Sequence, residues 1–174
     1  MTLEPLVLVP VTATGALYGW CVRRARARRG HTAVPAARVA CFAGGLAAIL
    51  VALVSPLDAW SDDLLSAHMV QHLLLTLVAP PLLLLGRPVT LALVTTAGRS
   101  RSAIARAGRS RPWHLVTSPA VGFVVFGVTL WASHFSGLYQ AALTDGSLHA
   151  LEHAAYLAAG LLYWWPVVAR DPGA

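Results

Sequence analysis

Over residues 39–57, and again over 64–85, the chain carries no acidic side chain, no lysine and no arginine. Stretches of that length cross roughly 30 Å of hydrocarbon when wound as a helix rising about 1.5 Å per residue. With 57% hydrophobic and only 11% charged residues, the composition departs from that of a soluble domain in the same direction. Five spans are expected, at residues 5–22, 36–54, 64–85, 116–135 and 148–168. The fold class is therefore all-α: a polytopic membrane helix bundle forming one transmembrane domain over residues 1–174.

The formal charge of +6 comes entirely from arginine, because the chain has no lysine. Arg23, Arg24, Arg26, Arg28 and Arg29 fall between the first and second spans, with Arg38 at the far end of that segment where the second begins. Arg87, Arg99, Arg101, Arg106, Arg109 and Arg111 separate the third from the fourth, and Arg170 follows the fifth. The opposite connections hold Asp58, Asp62, Asp63 and Asp145 and no arginine. By the positive-inside rule the arginine side is cytoplasmic, which puts the N-terminus outside and the C-terminus inside. Basic residues sorted in this way report topology, and nucleic acid is not an expected partner. Glu4 precedes the first apolar core and the arginines follow it, the reverse of a secretory signal, so this segment is read as a retained span.

Local breaks are also legible. Pro80 and Pro81 remove two backbone donors inside the third span and should kink it, and Pro166 acts similarly near the end of the fifth. Residues 88–113 are too polar at their far end to span. Their first part, 89–94, would either lie along the lipid surface with its basic neighbours toward anionic headgroups, or form a plain loop. Cys21 and Cys41 read as small apolar residues at the reducing side, not as a disulfide. The third span opens with His-Met-Val-Gln-His and the fifth with His-Ala-Leu-Glu-His, a faint repeat consistent with two hairpins related about the membrane normal.

The histidines carry the chemistry. His31 and His114 lie in arginine-rich segments and are expected on the solvated surface. His68, His72, His134, His149 and His153 all map to the outer ends of spans three, four and five. Residues four apart on a helix share a face with β-carbons about 5–6 Å apart, so His68 with His72, and His149 with His153, can each grip one metal ion. His134 can add a ligand from the fourth span. Gln71 flanks the first pair and Glu152 and Tyr156 the second, and an amide or carboxylate in that position normally orients a ligating ring. Met69 points about 100° away from the pair. Five imidazoles at one depth favour metal binding over structural hydrogen bonding, because polar groups within spans are costly. Imidazole suits copper, zinc, iron and nickel, so the ligand type leaves the metal open.

Several motifs taken jointly resemble the CtaG-type cytochrome c oxidase assembly factors. They are Ser55-Pro56-Leu57-Asp58, Ser66-Ala67-His68-Met69-Val70-Gln71-His72, Ala79-Pro80-Pro81-Leu82 and Leu85-Gly86-Arg87-Pro88. They continue with His134 and Leu138-Tyr139, then Leu148-His149-Ala150-Leu151-Glu152-His153 and Gly160-Leu161-Leu162-Tyr163-Trp164-Trp165-Pro166. The resemblance implies a multi-pass protein of the bacterial plasma membrane that handles copper during assembly of a haem–copper oxidase. Oxidase subunits and an extracytoplasmic copper donor would be its partners, alongside membrane lipids. It also implies kinship with copper-resistance permeases. The copper role carries over onto His68, His72, His134, His149 and His153. Family members usually continue past the Trp-Trp-Pro segment, which implies a short or truncated chain whose missing helices a second copy, as a homo-oligomer, or the oxidase would replace.

Three rival readings share these residues. A bis-histidine haem protein would use one ligand from each of two spans, since two histidines one turn apart cannot sandwich a haem. His149-Ala150-Leu151-Glu152-His153 fits a metallopeptidase motif, but Asp171 is the sole acid after it and falls on the other side. A copper transporter would need polar residues through the inner half, where Thr76, Tyr163 and the tryptophans stand nearly alone. A non-catalytic copper-handling role is the expectation, with zinc or haem as the less favoured cofactors.

Overall fold

The computed structural model describes residues 4–61, 64–135 and 145–169. Asp62, Asp63, Leu138, Tyr139, Arg170 and Asp171, used above, lie outside the described residues. All regular elements among those described are helices. Helix α1 covers Glu4–Arg29, α2 Ala36–Val54 and the short α3 Pro56–Ser61. Helix α4, Leu65–Leu73, runs through a π-helical turn at Leu74–Val78 into α5, Ala79–Leu85. Then come α6 at Pro88–Thr95, α7 at Gly98–Gly108, α8 at Arg111–Val116, α9 at Pro119–Phe135 and α10 at Gly146–Val168.

Three stretches are long and apolar enough to cross a membrane: Pro5–Arg29, Ala36–Val54 and Leu65–Thr95. Helix α9 is apolar but shorter, and α10 has the length while its histidines and glutamate dilute its apolarity. The stretch Leu65–Thr95 is not one straight rod. Arg87 adopts a left-handed conformation at φ 48°, the only positive φ outside glycine among the described residues, and breaks the helix between α5 and α6. Beyond this break helix α6 packs along α1, burying Leu91 with Tyr18, Cys21, Val22 and Phe42. Tyr18 stacks on Phe42 at 3.7 Å and donates its hydroxyl to the Gly86 carbonyl at 2.8 Å. Arg24 and Arg28 both donate to the Thr95 carbonyl at 3.2 Å. Residues 88–95 are thus a packed helix, which replaces the plain-loop alternative, and the basic α7 continues from it with its arginines exposed. Cys21 and Cys41 are both free.

The proline pair meets a widened turn. Proline at position 80 cannot donate to the Thr76 carbonyl, and its ring crowds that oxygen. The chain answers with the π turn, closed by the Ala79 N–H on the Leu74 carbonyl, immediately before Pro80. The Thr76 carbonyl is taken instead by the indole N–H of Trp164 on α10, at 3.0 Å. Pro166 lies inside α10, which continues to Val168.

Glycine sets how closely the helices approach. A Cβ at Gly160 would lie 2.7 Å from Pro80 Cγ and 3.0 Å from the Thr76 carbonyl oxygen. One at Gly122 on α9 would lie 2.7 Å from the Leu162 carbonyl oxygen of α10. The second contact is with rigid backbone, so Gly122→Ala is expected to lower stability by about 1–3 kcal/mol through overpacking. A thermal melt of the purified variant checks this.

Candidate metal centre

At the end of the bundle away from the arginine-bearing turns, α4, α9 and α10 converge. Helix α4 brings His68 and His72 one turn apart, with ring centroids separated by 4.2 Å. Helix α10 brings His149 and His153, at 4.3 Å. Asp145 starts α10 by accepting from the Ser147 and Leu148 backbone N–H groups and the Ser147 hydroxyl. Those hydrogen bonds, the Ser147 hydroxyl first, hold its carboxyl below the usual range, so the cap is formed at neutral pH and lost as pH falls through that lowered value.

The two pairs face each other. His68 lies 5.7 Å from His149, and His72 lies 5.8 Å from His153, centroid to centroid. His134, near the end of α9, stands 5.9 Å from His72. His68, His72 and His153 are buried, whereas His134 and His149 are partly accessible. His31 and His114 are exposed, as expected. All five histidines singled out by position therefore gather into one cluster.

Glu152 enters this cluster more directly than its flanking position suggested. Its Oε1 stands 4.0 Å from His72 Nε2, and ligand atoms of His68, His72 and Glu152 all lie within 4.8 Å of one another. Among the described residues, neither Glu152 oxygen, neither His72 ring nitrogen, nor His153 Nε2 has a hydrogen-bond partner. Buried polar atoms are ordinarily paired, and an unpaired carboxylate is the costliest to leave so. A cation between the rings and the carboxylate would satisfy them together. The helical register 149, 152, 153, 156 was the sequence signal for Glu152, since positions i, i+3, i+4 and i+7 share a face.

Gln71 does not orient an imidazole. Its amide donates to the Ala52 carbonyl at 2.7 Å and to Asp58 Oδ1 at 2.9 Å, fastening α4 to α2 and α3. The orienting role falls to Tyr156 and to Ser133, which the sequence did not single out. The Tyr156 ring stacks on His72 at 4.1 Å, while its hydroxyl meets Ser133 Oγ at 2.5 Å and His134 Nδ1 at 3.2 Å. His134 Nδ1 also lies 2.9 Å from the Leu130 carbonyl, an acceptor only. That contact favours the proton on Nδ1 and leaves the Nε2 lone pair for a ligand. Tyr156→Phe keeps the stack and removes the hydroxyl. We expect metal affinity about 10-fold lower, with far-ultraviolet circular dichroism unchanged. Competitive titration with a chromogenic chelator measures it.

Apolar membrane-length helices that gather imidazoles and a carboxylate at one end define a helical protein with the makings of a cation site. Residues 16–174 match the family model of the cytochrome c oxidase caa3 assembly factor (Caa3_CtaG), and the chain belongs to that family. It is 31% identical over 170 residues to an uncharacterized protein of Mycobacterium bovis and, equally, to one of Mycobacterium tuberculosis. Each alignment covers 94% of this chain and 25% of the relative. An uncharacterized protein of Mycobacterium leprae is 25% identical over 173 residues, 95% of this chain and 26% of its own length. The chain thus spans about a quarter of the length of these relatives. No solved structure matches it.

Proposed function

We propose that this chain handles copper during assembly of a haem–copper cytochrome c oxidase, without catalysing a reaction. Membership of the assembly-factor family supports the oxidase context. The observation that carries the copper reading is the convergence of His68, His72, His134, His149 and His153 from three helices beside Glu152, whose oxygens have no hydrogen-bond partner among the described residues. A nitrogen-rich set with one carboxylate suits copper, and zinc is its closest competitor. Copper is cargo in this reading. It arrives from an extracytoplasmic donor and leaves by ligand exchange to an oxidase subunit, with the partly accessible His149 and His134 as the exchanging ligands.

The same proposal places residues 1–174 as one helical domain with five spans in a bacterial plasma membrane. The N-terminus and the histidines face outside, and the arginines face the cytoplasm. A permease-like role would require a polar path through the inner half. There the Thr76 hydroxyl is turned back onto the His72 carbonyl, at 2.5 Å, and the Trp164 indole is engaged by the Thr76 carbonyl.

Copper counted by elemental analysis after equilibration with limiting metal tests the reading. Wild type and a His31→Ala/His114→Ala variant should retain it alike, and a His149→Ala/His153→Ala variant should not. Equal copper in all three would overturn the assignment.

A further inference from the structure

Beside the cluster lies a cavity of about 770 Å³ between the outer half of α1, the ends of α2 and α3, and α10. That volume falls within the roughly 300–1,000 Å³ of small-molecule sites. Its polarity is graded along its length. Asp58, Ser61, His149 and His153 line one end, and Leu46 and Leu83 line the part toward the α2–α5 contact. Helix α1 closes one side with Val7, Val11 and Thr14, and α10 the other with Ala150 and Ala154. We propose that this cavity binds an isoprenoid quinol, its ring among Asp58, His149 and His153 and its tail along the leucines.

Three observations select that chemistry. The gradient matches an amphiphile with a compact polar head and an apolar chain. No arginine is among the lining residues described, and Asp58 brings a carboxylate, so an anionic phospholipid head would find repulsion and no counter-charge. Asp58 accepts from Gln71 through Oδ1, which fixes the carboxylate at the polar end, and His153 Nε2 is a buried atom without a hydrogen-bond partner among the described residues. Hydroxyls at opposite edges of one flat ring can donate to the carboxylate and exchange a hydrogen bond with an imidazole nitrogen. The ring itself suits a wall of imidazole faces.

The inference goes beyond copper handling and is tested on metal-free protein, so its failure and that of the copper reading are separate results. The full chain in detergent is incubated with a decyl-tailed benzoquinol, passed through a size-exclusion column, and the retained quinol is quantified by its absorbance after oxidation. Saturable retention is expected, with affinity reduced about tenfold or more by Ala154→Phe from one wall and by Thr14→Phe from the other. Dioleoyl phosphatidylglycerol should not displace the probe. No saturable retention would overturn the proposal. So would displacement of the decyl quinol by the phospholipid, or undiminished binding in whichever of the two variants retains the wild-type helical signal.

Discussion

Replacing His72 with alanine is expected to lower copper affinity more than any other single substitution in the cluster. His72 is the ring that reaches every part of the site except His149. It neighbours His68 at 4.2 Å, His134 at 5.9 Å, His153 at 5.8 Å and the Tyr156 ring at 4.1 Å, and its Nε2 faces Glu152. His149, by contrast, neighbours His68 and His153 at the accessible edge. Losing an orienting partner of a metal ligand typically costs about 10–100-fold in affinity, and losing the central ligand should exceed the upper figure. His149→Ala should fall well short of it. Isothermal titration of copper into the purified variants gives the order directly, and equal losses at positions 72 and 149 would contradict a site centred on His72. Oxidase activity in cells carrying His72→Ala should fall in parallel, while the protein still inserts into membranes.

A larger structural effect is expected from a residue that carries no ligand at all. Gly160→Ala adds a methyl group where Pro80 Cγ would be 2.7 Å away and the Thr76 backbone 3.0–3.1 Å away. Neither neighbour can step aside, because one is a proline ring and the other is main chain. Helix α10 must therefore back away from the α4–α5 helix, at a cost of about 1–3 kcal/mol. That movement also separates the His149–His153 pair from His68 and His72 and weakens the Trp164–Thr76 hydrogen bond. The variant should lose thermal stability and copper affinity together, although every imidazole is present. Ala158→Leu, on the exposed side of the same helix, should change neither. Unchanged copper affinity in a destabilised Gly160→Ala protein would show that the two histidine pairs do not share an ion.

The sequence was most informative where period and charge act locally. The second expected span, 36–54, coincides with α2, and the third begins one residue before α4. The five histidines could be assigned to one cluster because each sits near a span end, and helices packed side by side bring such ends together. What escaped was set by contacts between helices. The first expected span ends at Val22, yet α1 continues to Arg29, because its arginines are good helix formers and Ala25 packs into the core. A proline pair announces a break, but not that a π turn will absorb it or that Trp164 will serve the orphaned carbonyl. Gln71 and Glu152 occupy equivalent places in the two His-x-x-(Gln/Glu)-His motifs, and only the neighbours distinguish them. One faces the Ala52 carbonyl and Asp58, the other faces His72.

The hydrogen bond from the Trp164 indole to the Thr76 carbonyl bears on biogenesis. Leu65–Leu85 leaves the ribosome well before Trp164 is made, and a peptide oxygen with no donor is poorly tolerated in hydrocarbon. The earlier helix is thus an incomplete insertion unit, and α10 supplies a missing backbone partner as well as two imidazoles. Quality control that senses unsatisfied polar groups in the bilayer would read the same event that brings the α10 imidazoles to His68 and His72, so a nascent chain in which α10 has not yet docked would be recognisable before it met any metal.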